Sequence, residues 1–203
     1  MIYLNLLNIS YKEYMINEYE ELLRSTDREG IDDLLAFIKK SDFYTAPAST
    51  RFHSCHEGGL LEHSLNVYKC LKAKTNNPIW QESLRDIPDE SFIIVALLHD
   101  LCKTYFYVVD YRNKKNEAGV WERVPYYKVD DRIPYGHGEK SVMMIEEYIK
   151  LTAAERYAIR WHMGWSEPKE SYNALGNAMG KYPLVLALHE ADQEATYLLE
   201  EEQ

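Results

Sequence analysis

The stretch "DESFIIVALLHDLCK", Asp89 to Lys103, constrains the fold more than any other. Phe92 to Leu98 are apolar without interruption, so a helix through them has no polar face to offer solvent and must be buried on most sides. Asp89 is placed to cap that helix. The run then ends in the adjacent pair His99 and Asp100. A carboxylate beside an imidazole at the end of a buried helix is costly unless something compensates it.

Other segments carry the same problem. In "HEGGLLEHSLNVY", His63 shares a helical face with Leu60, Val67 and Leu71, so its imidazole points inward. His137 lies in "PYGHGEK" and His162 in "RWHMGW", while Asp192 falls on the face of Val185, Leu188 and Ala195. Separate solutions would pair each histidine with a carbonyl and each aspartate with an arginine. A shared metal centre satisfies all of them together, because neutral imidazoles and carboxylates are ligands of first-row divalent metals. Neighbours such as His99 and Asp100 diverge by about 100° around a helix. They converge on one ion only near a helix end.

Around this segment the pattern is mostly α, and we expect one domain over residues 1–203. Two amphipathic helices, Tyr11 to Leu23 and Ile31 to Lys39, fall within an N-terminal part of about residues 1–45. The core is expected over about residues 50–200. Between about Thr104 and Asp131 the helical pattern breaks, and aromatic and β-branched runs flank "NKKNEAG", which reads as the turn of an inserted β-hairpin. Helices resume near "GEKSVMMIEEYIK". Thr152 and Glu155 form a capping-box pattern before the His162 helix, and Pro183 suits the first turn of the last one.

Bulk properties narrow the function. An apolar fraction of 46% with 13% aromatics excludes disorder as the default state. No run approaches the 18 uncharged apolar residues of a membrane span, and no signal-peptide pattern opens the chain. Cys55, Cys70 and Cys102 are odd in number and form no CxxC pair, which points to a reducing cytoplasm and away from a thiolate zinc site. The formal charge of −10 opposes long-range attraction to nucleic acid. Part of that excess, in "NEYEELL" and the C-terminal "EEEQ", is read as solvated helix faces.

The order His63, His99–Asp100, Lys103, His137, His162, Asp192 resembles the HD superfamily of metal-dependent phosphohydrolases. Locally, "GGLLEHSL", "LLHDLCK", "WHMG" and "ALHEAD" are most similar to the HD domain of bacterial 3′–5′ exoribonucleases, in the same order, over roughly His53 to Ala195. The resemblance implies an HD-domain helical bundle. It also implies that His63, His99, Asp100 and Asp192 hold one divalent transition metal (Mn, Fe, Ni, Co or Zn), and that His137 and His162 hold a second in binuclear members. Three departures stand out. Met163 follows His162 where those enzymes tend to carry a second histidine, Cys102 stands where glycine is usual, and no OB-like barrel precedes the HD region.

The implied chemistry is hydrolysis of a phosphate ester. Asp100 is the candidate proton acceptor as well as a ligand, and Lys103 the candidate cation for a phosphate oxygen. Arg51 and His53, in the loop "RFHSCH", are candidate substrate contacts, and His53 a candidate catalytic group. Arg51 and His56 are better explained as ordinary loop residues, while for His53 the two readings are even. His189, three residues before Asp192, is read as a supporting or structural histidine, and Cys102 as packing. The expected substrate is a nucleotide or other small phosphorylated compound. A 3′–5′ exonuclease on short single strands and a regulatory module that binds metal without catalysis are the alternatives.

Overall fold

The computed structural model describes residues 10–51 and 54–200. Among these, helices dominate and a single hairpin interrupts them, in agreement with the mostly α expectation. Helix α1 (Tyr11–Ser25) begins with a capping box in which the Ser10 hydroxyl accepts from the Glu13 amide and the Glu13 carboxylate accepts from Ser10. Helix α2 (Ile31–Lys40) follows, with Asp32 and Asp33 in its first turn and Lys39 and Lys40 in its last, both favourable to the helix dipole.

Helix α3 (Gly59–Lys74) carries His63. The two glycines before it have different causes. Gly58 adopts φ +84°, where a β-carbon is strained, whereas a β-carbon on Gly59 would sit 2.0 Å from the carbonyl oxygen of Ser54. Helix α4 (Pro78–Leu84) is short, capped by the Asn77 side chain. Helix α5 (Asp89–Leu98) is buried from Ser91 onward, and it packs on α1, α3 and α7. Its N-cap is Pro88 and not Asp89, which is the first helical residue; the acidic group acts on the dipole and caps nothing.

Strands β1 (Tyr107–Lys115) and β2 (Trp121–Val129) pair antiparallel, Tyr107 opposite Val129 and Lys115 opposite Trp121. The turn is tighter than the sequence suggests. Asn113, Lys114 and Lys115 continue β1, and Asn116 closes the loop by accepting from Val120 on its side chain while donating its amide to the Val120 carbonyl. Helices α6 (His137–Glu146), α7 (Ala153–Trp161), α8 (Tyr172–Lys181) and α9 (Pro183–Glu194) complete the bundle. Thr152 and Glu155 form the expected capping box and Pro183 occupies the first turn of α9.

The main apolar cluster joins α1, α2, α3, α5, α6, α7 and α9, with Tyr19 donating its hydroxyl to the Leu97 carbonyl at its centre. A buried polar clamp fastens the N-terminal helices to the rest. Arg28 donates both terminal nitrogens to the Glu155 carboxylate at 2.9 and 3.1 Å and one of them to Glu90 at 2.7 Å, while Ser91 also donates to Glu155. The "NEYEELL" segment is not wholly solvated: Glu20 is buried and paired with Lys39 and Arg24. No helix among the described residues is long and apolar enough to cross a membrane.

Candidate metal centre

Five elements end or turn at one place. Helix α3 contributes His63 from its first turns, and α5 contributes His99 as its C-cap residue. Asp100 follows outside the helix, at φ −103° and ψ 18°, and opens the 3₁₀ turn Leu101–Lys103. That break lets neighbouring side chains face a common point, as the divergence of an i, i+1 pair requires. Helix α6 starts with His137, α7 ends against His162, and α9 presents Asp192. His63, His99, Asp100 and His162 are at most 2% exposed, and Asp192 8%.

The imidazoles are oriented from behind. His99 donates Nδ1–H to the Ala96 carbonyl at 2.9 Å and His162 donates Nδ1–H to the Ile159 carbonyl at 2.7 Å. These bonds fix the proton on Nδ1 and leave an Nε2 lone pair aimed into the site. Nε2 of His99 is buried with no hydrogen-bond partner; Asp100 Oδ2 lies 3.4 Å away in poor geometry. A buried lone pair of this kind is costly, and a cation removes the cost. Nε2 of His63 lies 3.2 Å from Asp192 Oδ1 and 3.7 Å from Asp100 Oδ2. The donor atoms of His63, His99 and Asp192 fall within 4.8 Å of one another, as do those of His99, Asp100 and His162, and those of Asp100, Cys102 and His137. These nitrogen-rich donors with carboxylates fit a first-row divalent metal.

Protonation follows the same geometry. Burial alone would raise the Asp100 carboxyl, but the Lys103 ammonium, together with the hydrogen bond from His137, holds it well below the ordinary range. Burial likewise opposes ionisation of Asp192, and the His63 hydrogen bond overrides it, so Asp192 stays a carboxylate. For His63, burial favours the neutral ring, yet hydrogen bonds to Asp192 and Glu200 push its pKa up to about 9. A proton on His63 thus supplies the positive charge that a metal would bring to these carboxylates.

Asp100 is the meeting point. Its Oδ1 accepts from His137 Nε2 at 2.8 Å and its Oδ2 lies 2.6 Å from the Lys103 ammonium. Lys103 is therefore engaged with Asp100 and not directed freely outward, although it still borders the cleft. His137 has the Cys102 sulfur 3.2 Å from its Nδ1, and burial pushes that thiol up to about 12, so Cys102 is a neutral partner of the ring. His189 donates Nδ1–H to the His162 carbonyl at 2.8 Å, which holds the segment after α7 in place. Above the cluster opens a cleft of about 580 Å³, walled on one side by Tyr107 and Val129 from the base of the hairpin.

Two loop candidates fare differently. Arg51 is exposed and borders a neighbouring groove with Cys55, Arg112 and Tyr126, whereas Thr50 beside it lines the cleft of the histidines. His53 lies outside the described residues. His56 is half-exposed, beside Glu62. The residue that sequence reasoning missed is Glu200. Far from a solvated face, its side chain is 1% exposed and meets His63 Nδ1 at 2.9 Å. A run of three glutamates carries no local signal that Glu200 turns inward.

The dihydroneopterin 2′,3′-cyclic phosphate phosphodiesterase of Methanocaldococcus jannaschii is 31% identical over 85 residues, covering 42% of this chain and 31% of that protein. The chain is a distant, partial relative of a phosphodiesterase. The match leaves more than two thirds of the relative's length unspanned. No family model matches the chain. No solved structure matches it.

Proposed function

We propose that the protein is a divalent-metal-dependent phosphohydrolase of the HD type, acting on a nucleotide or another small phosphate ester. The observation that carries this reading is the convergence of His63, His99, Asp100, His162 and Asp192 from separate elements, with the His99 lone pair buried and unpartnered. The partial similarity to a phosphodiesterase supports the reaction class. His63, His99, Asp100 and Asp192 would hold the first ion, and His137 and His162, with Asp100 shared, a second. A bound cation supplies Lewis-acid polarisation of a phosphoryl oxygen and acidifies a water toward neutrality.

The chain's own groups do the rest. Asp100, held ionised by Lys103 and the hydrogen bond from His137, stays a carboxylate that can act as a ligand and accept a hydrogen bond from the attacking water. Burial alone would lower the Lys103 pKa, but Asp100 raises it well above its ordinary value, so Lys103 stays an ammonium and offers its charge to a phosphate oxygen at the cleft floor. Tyr107 and Val129 wall one side of the cleft. Metal-loaded protein should be tested on phosphomonoesters, 2′,3′- and 3′,5′-cyclic nucleotides and short oligonucleotides. Turnover of small esters supports the reading, and no turnover of any phosphate ester with any first-row metal overturns it.

A second reading, a 3′–5′ exonuclease on short single strands, is favoured by one feature. The hairpin face that begins at Tyr107 and Val129 continues through Tyr111 and Trp121, and pairing register places no acidic residue on it. Arg123 lies over Tyr111 at 4.7 Å and Lys115 over Trp121 at 5.3 Å. Aromatic platforms with cations suit single strands. Comparing mononucleotides with a labelled strand of about twenty residues separates the two, and processive shortening without turnover of small esters favours the second.

A further inference from the structure

The last described residues fold back over His63. Helix α9 passes into a π-helical turn, Ala195–Leu199, and such widened turns recur at functional sites. The turn delivers Glu200 into the interior, where its side chain is 1% exposed. Oε1 accepts from His63 Nδ1 at 2.9 Å and faces Asn66 Nδ2 at 3.4 Å. Oε2 accepts from the Ser54 hydroxyl at 2.8 Å. The carboxylate is thus seated by donors from α3 and from the loop that precedes it.

We propose that Glu200 is the positioning residue of the metal centre, setting the orientation and tautomer of His63; this rests on the metal reading given above. A histidine that ligates through Nε2 must keep its proton on Nδ1, and a carboxylate on Nδ1–H both enforces that and strengthens the ring as a donor. His99 and His162 have neutral carbonyls in that place, at Ala96 and Ile159. His63 alone of these three has an anion behind it and a carboxylate, Asp192, in front. The chain therefore reaches past its last long helix to complete the site.

The test is calorimetric titration of the full-length metal-free protein with Zn²⁺ and with Mn²⁺, comparing wild type, Glu200→Gln and Glu200→Ala. Glu200→Ala should bind about 10- to 100-fold more weakly, and Glu200→Gln should fall between, since the amide oxygen still accepts from Nδ1–H. Imidazole ¹⁵N spectra of the Zn²⁺-loaded proteins should show His63 losing its fixed Nδ1–H signature in Glu200→Ala. If that variant does not fold, the nearly isosteric Glu200→Gln carries the comparison. Equal affinities with an unchanged His63 signature overturn the role of Glu200. Wild-type protein that binds neither ion overturns the metal reading, and this inference with it.

Discussion

The Lys103 ammonium lies 2.6 Å from Asp100 Oδ2, inside the floor of the cleft and three residues along a 3₁₀ turn. Replacing Lys103 by Met removes that charge while leaving every nitrogen and carboxylate of the metal cluster. We expect metal content to be unchanged and kcat/KM on small phosphate esters to fall about 100-fold. Elemental analysis beside steady-state kinetics checks both halves. A loss of metal with the loss of rate would show that Lys103 acts by holding Asp100 in place.

His137 and His162 should be separable from His63. His137 is bound to Asp100 Oδ1 and backed by the Cys102 sulfur, whereas His63 sits between Asp192 and Glu200. Alanine at 137 or 162 should keep about one metal per chain and lose activity. If either substitution empties the site, the division of ligands between two ions is wrong.

The Arg28–Glu155 clamp governs acid stability. Burial alone would raise the Glu155 carboxyl, but the Arg28 guanidinium, the Thr152 amide and the Ser91 hydroxyl hold it below its ordinary value of about 4.5. A depressed carboxyl contributes stability that is present above the unfolded value and lost as pH falls through the folded one. Glu155→Gln should therefore flatten the acid limb of stability below pH 4.5. Arg28→Met, which strands a buried carboxylate, should cost about 3–5 kcal/mol at neutral pH. Denaturant unfolding across pH measures both; equal acid limbs for wild type and Glu155→Gln would refute the assignment.

The paired glycines before α3 should differ in cost. A methyl on Gly59 meets a backbone oxygen at 2.0 Å, which no rotamer can relieve, whereas Gly58 has only its positive φ to lose. Gly58→Ala should cost about 1–2 kcal/mol. Gly59→Ala should cost more and shift the loop that leads to His63. Thermal unfolding of the two variants decides the order, and a more damaging Gly58→Ala would contradict it.

How much the sequence disclosed depended on whether the signal was periodic. The buried helix before His99, the Thr152–Glu155 capping box and the inward face of His63 all leave a local pattern, and each stands where the pattern puts it. Helix α8 carries Gly176 and Gly180, poor helix formers, so its existence rests on packing against α9 and leaves little local trace. Asp89 looks like a cap by residue type, but Pro88 adopts the extended conformation that ends the preceding chain. The site divides similarly. Residues on helix faces could be gathered by inward direction, while Glu200 arrives through a π turn and Arg51 lines a separate groove.

Metal content tests the central claim most directly. Wild-type protein and the Ala variants at His63, His99, Asp100 and Asp192 should be purified, supplemented with Mn, Fe and Zn, desalted, and measured by elemental analysis. We expect at least one equivalent per chain in wild type and its loss in each variant; wild-type protein that retains none of the three metals would contradict a metal centre at this site.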